Sequence, residues 1–243
     1  MSVARFVVER LPQAGSSLRL PRAEAAHARA RRLEPGDAVI LVDGRGSEAA
    51  GRIARLSRDG VEVSVEGTAA GREPAGPVAL LVAALRLERL SWIAEKATEL
   101  GATRLVLLRT ERTQAFRAAA AASGRLERVA RAAAKQSGAA SWPEISGPIP
   151  AAEAFAAETA RLRLLLDASG APFPVAAAPQ ATAIAVGPEG GWTPAERDAA
   201  RSAGWTPTRL PAATLRAETA AVAGLTLLRA ARDRFESMPG TSV

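Results

Sequence analysis

The 243-residue chain contains no cysteine. Disulfides, a thiolate nucleophile and Cys-ligated zinc are therefore excluded. Its one histidine is His27, so a Ser-His triad or a multi-histidine metal site is nearly excluded as well. No metal is expected. There is no apolar run near 20 residues, which argues against a transmembrane helix and a membrane partner. The opening MSVARFVVERLP lacks the apolar stretch and small-residue cleavage site of a secretory signal, and a cytoplasmic location is the expectation. Neither a GxGxxG fingerprint nor a GxxxxGKS/T loop is present, so a nucleotide pyrophosphate site is not the natural reading.

Hydrophobic residues make up 48% of the chain, enough for a substantial core. The net charge of +7 is unevenly spread. Residues 76–140 carry 11 basic and 5 acidic side chains, against 12 and 10 before them and 9 and 10 after. Such a concentration suits a phosphate-binding surface. It equally suits a solvated helix face in a chain where 30 of the 32 basic residues are arginine.

The patterning divides the chain at residues 69–77, where Gly, Pro and Ala dominate and large apolar residues are scarce. Residues 1–68 read as several short strands (RFVVERL, AVILVDGRG, GRIARLS, GVEVSVEG) with one helix over residues 22–33, which predicts a small β-barrel. Residues 78–243 alternate buried strands (VALLVAAL, LVLL, LRLLLD, TAIAVG) with helices, which predicts a parallel α/β sheet. Residues 115–124, AFRAAAAASG, read as a helix or a mobile loop. The helix after residue 193 carries a Thr193/Glu196 capping box, Pro194 at its first position and Gly204 at its end. The last helix, about residues 218–235, opens with the nearly all-apolar AAVAGLTLL and suggests a subunit interface as well as a core.

Three segments are candidates for chemistry. AIAVGPEGGWTPAE takes a buried strand into Gly187, Pro188, Glu189, Gly190 and Gly191, then into the capped helix. Ligands of open α/β sheets bind at the carboxyl ends of strands, and glycines there let the backbone approach. LPAATLRAETAA brings Leu210, Leu215 and Arg216 to a helix headed by Glu218, Thr219 and Ala220. Glu218 complements the helix dipole, whereas Arg216 could hold an anion or pair with Glu218 or Glu189. The stretch from Arg86 to Phe116 carries Lys96, Arg109 and Arg112, and Lys135 closes the following helix. These cations are either ordinary surface charge or a basic rim around the cleft.

GPEGGW followed by LRAETA resembles the signature of the SPOUT class of RNA methyltransferases. Within that class the chain is similar to the ribosomal RNA small subunit methyltransferase E family. RFVVE with Arg5, His27, Arg32-Leu33, Pro35-Gly36-Asp37, KATELG, the TERT segment with Arg112, and AAKQS occur in the expected order. The resemblance implies a PUA-like RNA-binding barrel over 1–68, a linker over 69–77 and a SPOUT domain with a trefoil knot over 78–243, with helices on both faces of its parallel sheet. It implies S-adenosylmethionine (SAM) as cofactor, a homodimer, and 16S rRNA of the small ribosomal subunit as partner, methylated at N3 of one uridine. It places Leu166, Gly187, Pro188, Glu189, Gly190, Gly191, Leu210, Leu215, Arg216, Glu218, Thr219 and Ala220 at the cofactor. Arg216, Glu218 and Glu189 are the catalytic candidates. Arg5, His27, Arg32, Arg86, Lys96, Arg112 and Lys135 are the RNA-binding candidates. His27 has a second reading as a structural hydrogen-bonding residue of the barrel.

The chain departs from the family pattern at Pro211, where the family usually has glycine, and at Gly138, where it often has arginine. Proline has no amide to offer a ligand. The alternatives are another SPOUT enzyme, such as a tRNA ribose 2′-O methyltransferase, or a non-catalytic RNA-binding ribosome-assembly factor.

Overall fold

The computed structural model describes residues 3–70, 76–113, 122–174, 181–212 and 214–236. Most of the 69–77 linker and most of the Ala-rich segment at 115–124 lie outside the described residues. The chain divides into two units, Met1–Glu73 with Arg131–Trp142, and Pro74–Ala130 with Pro143–Val243.

The first unit holds β1 (Ala4–Val7), β2 (Ser17–Arg19), α1 (Arg22–Ala30), β3 (Ala38–Val42), β4 (Ser47–Leu56) and β5 (Val61–Ala70). They form a five-stranded sheet in the order β1-β3-β4-β5-β2. Only β1 and β3 run parallel; the other pairs are antiparallel. Period-two patterning sends Val39, Leu41, Ile53, Val61 and Val63 to one side, where Phe6 and Ala28 of α1 complete the core. Each such large side chain contributes roughly 1.5–3 kcal/mol when fully buried. Helix α1 stops three residues before the expected Leu33. Arg32 takes a left-handed φ of 54°, which a continuing helix cannot accommodate. The segment Arg131–Trp142 joins this unit through bridges from Ser141 to Gly44 and Arg45, and Trp142 packs on Gly44.

The second unit holds β6 (Val78–Ala83), α2 (Leu87–Glu99), β7 (Arg104–Arg109), α3 (Ser123–Ser137), whose end passes into the first unit, and β8 (Glu144–Pro150). There follow α4 (Ala151–Ala157), β9 (Leu162–Pro172), β10 (Thr182–Val186), α5 (Pro194–Ser202), β11 (Thr206–Arg209) and α6 (Ala217–Glu236). The sheet order is β11-β9-β10-β6-β7-β8, and every pair is parallel, as the strand-helix alternation predicts. Central strands β6 and β10 are buried throughout, so they read as unbroken apolar runs. Leu80, Val82, Ile184 and Val186 share one core with α2 and α6. Ala79, Leu81, Ala183 and Ala185 share the other with α4 and α5, where small residues leave room for Phe155, Trp192 and Trp205.

Helix α5 begins as its sequence dictates. Thr193 accepts from the Glu196 amide, Glu196 returns to the Thr193 amide, and Pro194 follows. Four elements escaped the sequence reading: β2, β8, α4 and β11. The two strands β2 and β11 have only three and four residues, and β8 carries Gly and two Pro. None offers a periodic signal.

Candidate active site

Strands β9, β10 and β11 are neighbours, and their carboxyl ends open into a cleft of about 270 Å³. Its walls are mostly apolar: Leu166, Val186, Leu210, Leu215, Ala217 and Ala220.

The middle wall is the turn after β10. Gly187 lies flat against the buried Trp192 ring, where an added Cβ would sit 2.9 Å from Trp192 Cε2. Trp192 Nε1 in turn donates to the Leu166 carbonyl at 3.0 Å, which fastens the β9 and β10 walls together. Gly191 has φ of 69° and its amide donates to the Pro188 carbonyl, which closes the turn. Two cations hold the turn from outside. Arg112 donates to the Gly190 carbonyl, and Arg89 donates to the Glu189 carboxylate. Glu196 adds a further tie, accepting from the Glu111 amide at 2.9 Å. The TERT segment is therefore anchored to both the turn and the head of α5.

Arg89 is the feature that sequence reasoning missed. It sits in the first turn of α2 and faces Glu189 and Glu218 together, with Nε 3.6 Å from Glu218 Oε1. Its hydrogen bond and charge hold the Glu189 carboxyl below the usual carboxylate value; desolvation opposes this, and Arg216 and Arg86 reinforce it. The same two carboxylates raise the Arg89 pKa. Glu218 keeps a buried Oε2 with no hydrogen-bond partner. The Arg216 side chain is exposed, with no hydrogen bond or salt bridge among the described residues, and its carbonyl accepts from the Ala220 amide.

Of the expected cofactor residues, Leu166, Gly187, Pro188, Glu189, Gly191, Leu210, Leu215 and Ala220 line the cleft. Gly190, Arg216, Glu218 and Thr219 do not. Asp167, Trp192, Arg197, Thr208, Arg209 and Thr214 line it without having been expected. Only Trp192 carried a signal, as the residue closing GPEGGW. Pro211 is not part of the lining, whereas Leu210 and Ala212 on either side of it are. Ala213 lies outside the described residues.

The RNA methyltransferase domain family matches residues 72–229, and the RNA methyltransferase PUA domain family matches residues 20–66. Ribosomal RNA small subunit methyltransferase E of Mycobacterium bovis is 31% identical over 96% of this chain and 93% of its own length. The chain belongs to the ribosomal RNA small subunit methyltransferase E family. Its fold agrees with that of a candidate rRNA methyltransferase from Porphyromonas gingivalis, at TM-score 0.84 and 31% identity, covering 96% of this chain and 100% of the other. A candidate methyltransferase from Legionella pneumophila, solved with the bound cofactor SAM, gives TM-score 0.84 and 27% identity over 96% and 99%. The first unit is accordingly a PUA-like domain, and the second is the methyltransferase domain.

The family's expected RNA-binding cations are not equally free. Arg5 pairs with Glu48 at 2.7 Å and its side chain is only 11% exposed. Lys135 pairs with Glu24, which is itself buried. Lys96 lies between Glu95 at 2.8 Å and Glu99 at 2.9 Å, which raise its pKa. His27 stands edge-on to Phe6 at 5.7 Å, with Nδ1 4.0 Å from Glu24. Arg32 and Arg86 are exposed and carry no side-chain partner among the described residues. The family departure at Gly138 has a local cause. Its φ is 82° and its amide donates to the Ala134 carbonyl, so it ends helix α3 where arginine would be strained.

Among the described residues no group of three or more His, Cys, Asp or Glu could hold a metal, and no helix is long and apolar enough to cross a membrane.

Proposed function

We propose that this chain transfers a methyl group from SAM to N3 of a specific uridine in 16S rRNA of the small ribosomal subunit. The observation that carries the cofactor reading is the cleft itself. It is mostly apolar, built from three strand ends, lined in part by Gly187 and Pro188, and lacks a phosphate loop. Such a cleft suits an adenosine joined to a sulfonium better than a pyrophosphate. The relative solved with SAM has the same fold.

When bound, SAM supplies an already activated methyl on its sulfonium. The chain's own residues then have three tasks: to align donor and acceptor, to exclude water and to manage the uracil charge. The apolar walls from Leu166, Leu210 and Leu215 exclude water. Arg216, exposed and unpaired, stabilises the uracil anion as the N3 proton leaves. Glu218 is better suited than Glu189 to accept that proton or to position Arg216. Glu189 is held ionised by Arg89 and is a weakened base, whereas Glu218 retains a free buried oxygen. N3 lies on the Watson–Crick edge, so the base must be unpaired or flipped out. Gly190 and Thr219 stand outside the lining, and Arg32, Arg86 and Arg112 grip phosphates. Arg5, Lys96, Lys135 and His27 contribute through their ion pairs and packing.

A homodimer completes the reading. Helix α6 leaves Val222, Ala223 and Leu227 only half-buried, and Trp92 on α2 is 40% exposed. An apolar surface of that kind is covered in a subunit interface. The protein is expected to work in the cytoplasm, where small subunits are assembled.

The test is a methyl-transfer assay with SAM on naked 16S rRNA and on purified small subunits, with the product nucleoside identified. N3-methyluridine supports the proposal. A ribose 2′-O product assigns the chain to a different SPOUT activity. Failure to bind SAM by calorimetry points to a non-catalytic RNA-binding factor.

A further inference from the structure

Strand β9 does not continue evenly to its end. Pro207 of β11 pairs with Leu165, but the next residue, Thr208, pairs with Ala171. Residues 166–170 therefore leave the β9–β11 ladder between these points and bulge into the cleft wall. Gly170 permits the detour, because a Cβ there would lie 2.3 Å from the Thr208 amide. The bulge presents Asp167, whose side chain is only 4% exposed although the residue lines the cleft.

A carboxylate taken this far out of water must be paired. Its Oδ2 accepts from Arg197 Nε at 2.6 Å. Its Oδ1 accepts from the Ser169 amide at 2.9 Å and the Ser169 hydroxyl at 2.7 Å. Burial raises the Asp167 pKa, but these donors outweigh it and hold the carboxyl below its ordinary value. A carboxylate has about four lone-pair positions, and three are filled here. Arg197 also lines the cleft, and only its Nε is engaged among the described residues. Among the described residues, these two cleft-lining residues thus leave one carboxylate acceptor position unfilled beside unengaged guanidinium donors.

We propose that Asp167 and Arg197 form the subsite for the vicinal diol of the cofactor's ribose. A hydroxyl both donates and accepts, which matches an acceptor beside a donor. The alternative occupant is the ammonium of the methionine portion. It would meet a carboxylate already neutralised by Arg197 and stand close to a like charge. A ribose hydroxyl on a carboxylate at a strand end is also a recurrent solution in open α/β sheets. This assignment rests on the SAM reading of the cleft.

The experiment is calorimetric titration with S-adenosylhomocysteine, 5′-methylthioadenosine and 2′,3′-dideoxy-5′-methylthioadenosine. Wild type and Asp167→Asn are compared, and the variant's fold is checked by circular dichroism. Asparagine keeps an acceptor for Ser169 and removes the charge. Wild type is expected to lose roughly tenfold to a hundredfold in affinity when both hydroxyls are removed. The variant is expected to bind the parent nucleoside more weakly and to discriminate little between it and the dideoxy form. Equal wild-type affinity for the two nucleosides overturns the assignment, and needs no variant. So does undiminished discrimination by Asp167→Asn, or a loss confined to S-adenosylhomocysteine, which would place the ammonium there. Failure of wild type to bind any of the three overturns the cofactor reading along with it.

Discussion

The PUA-like unit and the cleft of the methyltransferase domain both mix paired and unpaired arginines, and they differ in what the paired ones hold. In the first unit three cations sit on acids, Arg5 on Glu48, Arg52 on Glu66 and Lys135 on Glu24, while Arg32 carries no side-chain partner among the described residues. Around Glu189 of the cleft wall, Arg216 and Arg86 act through charge alone, with no side-chain hydrogen bond or salt bridge among the described residues, while Arg89 faces two carboxylates and Glu218 keeps a buried free oxygen. Counting charges along the chain cannot separate these cases. A cation already paired has little left to offer a phosphate or a developing anion, whereas an unpaired one beside a concave apolar wall has its full field available.

The contrast is broken most severely at Arg216. Arg216→Ala is expected to lower methyl transfer by about a hundredfold or more, the usual effect of losing an anion-stabilising donor. SAM affinity by calorimetry should change little. Unchanged turnover would remove Arg216 from the mechanism. Gly187→Ala forces a Cβ against the buried Trp192 ring. Overpacking of this kind costs about 1–3 kcal/mol, read as a lower midpoint in thermal unfolding together with weaker SAM binding.

Arg89→Gln releases Glu189 and Glu218 at once, and kcat/KM is expected to fall on the order of tenfold, the equivalent of about 1.4 kcal/mol. Arg89→Lys should recover part of the loss, because the charge remains. A smaller pair of effects separates the two uses of arginine directly. Arg5→Ala should cost about 1–3 kcal/mol of stability by stranding Glu48, while Arg32→Ala should leave stability unchanged and weaken RNA binding. The salt slope of RNA binding should become shallower for Arg32→Ala.

The smallest effect is a pH response. The folded Asp167 carboxyl lies below its ordinary value of 3.8. The stability gained from its pairing is fully present above that value and is lost as pH falls through the lower folded one. Asp167→Asn should therefore differ from wild type in thermal stability by a constant amount between about pH 8 and pH 5, the gap closing only below about pH 4.

Much of the architecture was legible because periodicity reports burial. VALLVAAL and TAIAVG are apolar throughout because β6 and β10 are covered on both faces, and the Thr193 box is a local signal with a local result. The glycine turn and the Leu210 and Leu215 wall were legible as motifs. Arg89, Asp167 and Arg197 were not. Each gains its role only when residues 100, 129 or 30 positions apart meet, as in Arg89–Glu189, Arg89–Glu218 and Asp167–Arg197. The β9 bulge is equally silent, since DASG reads as a turn or a strand end. In the first unit, the pairing of Arg5 with Glu48 spans 43 positions and escaped for the same reason.

The central claim is that the unpaired arginine at the cleft mouth serves methylation of a base in small-subunit rRNA. It is tested most directly by nucleoside mass spectrometry with position mapping on RNA from a strain lacking this protein. The strain is compared with itself after complementation by wild type and by Arg216→Ala. Loss of a single N3-methyluridine from 16S rRNA, restored by wild type and not by the variant, is the predicted result. An unaltered 16S rRNA, or loss of a ribose methyl from tRNA instead, would contradict it.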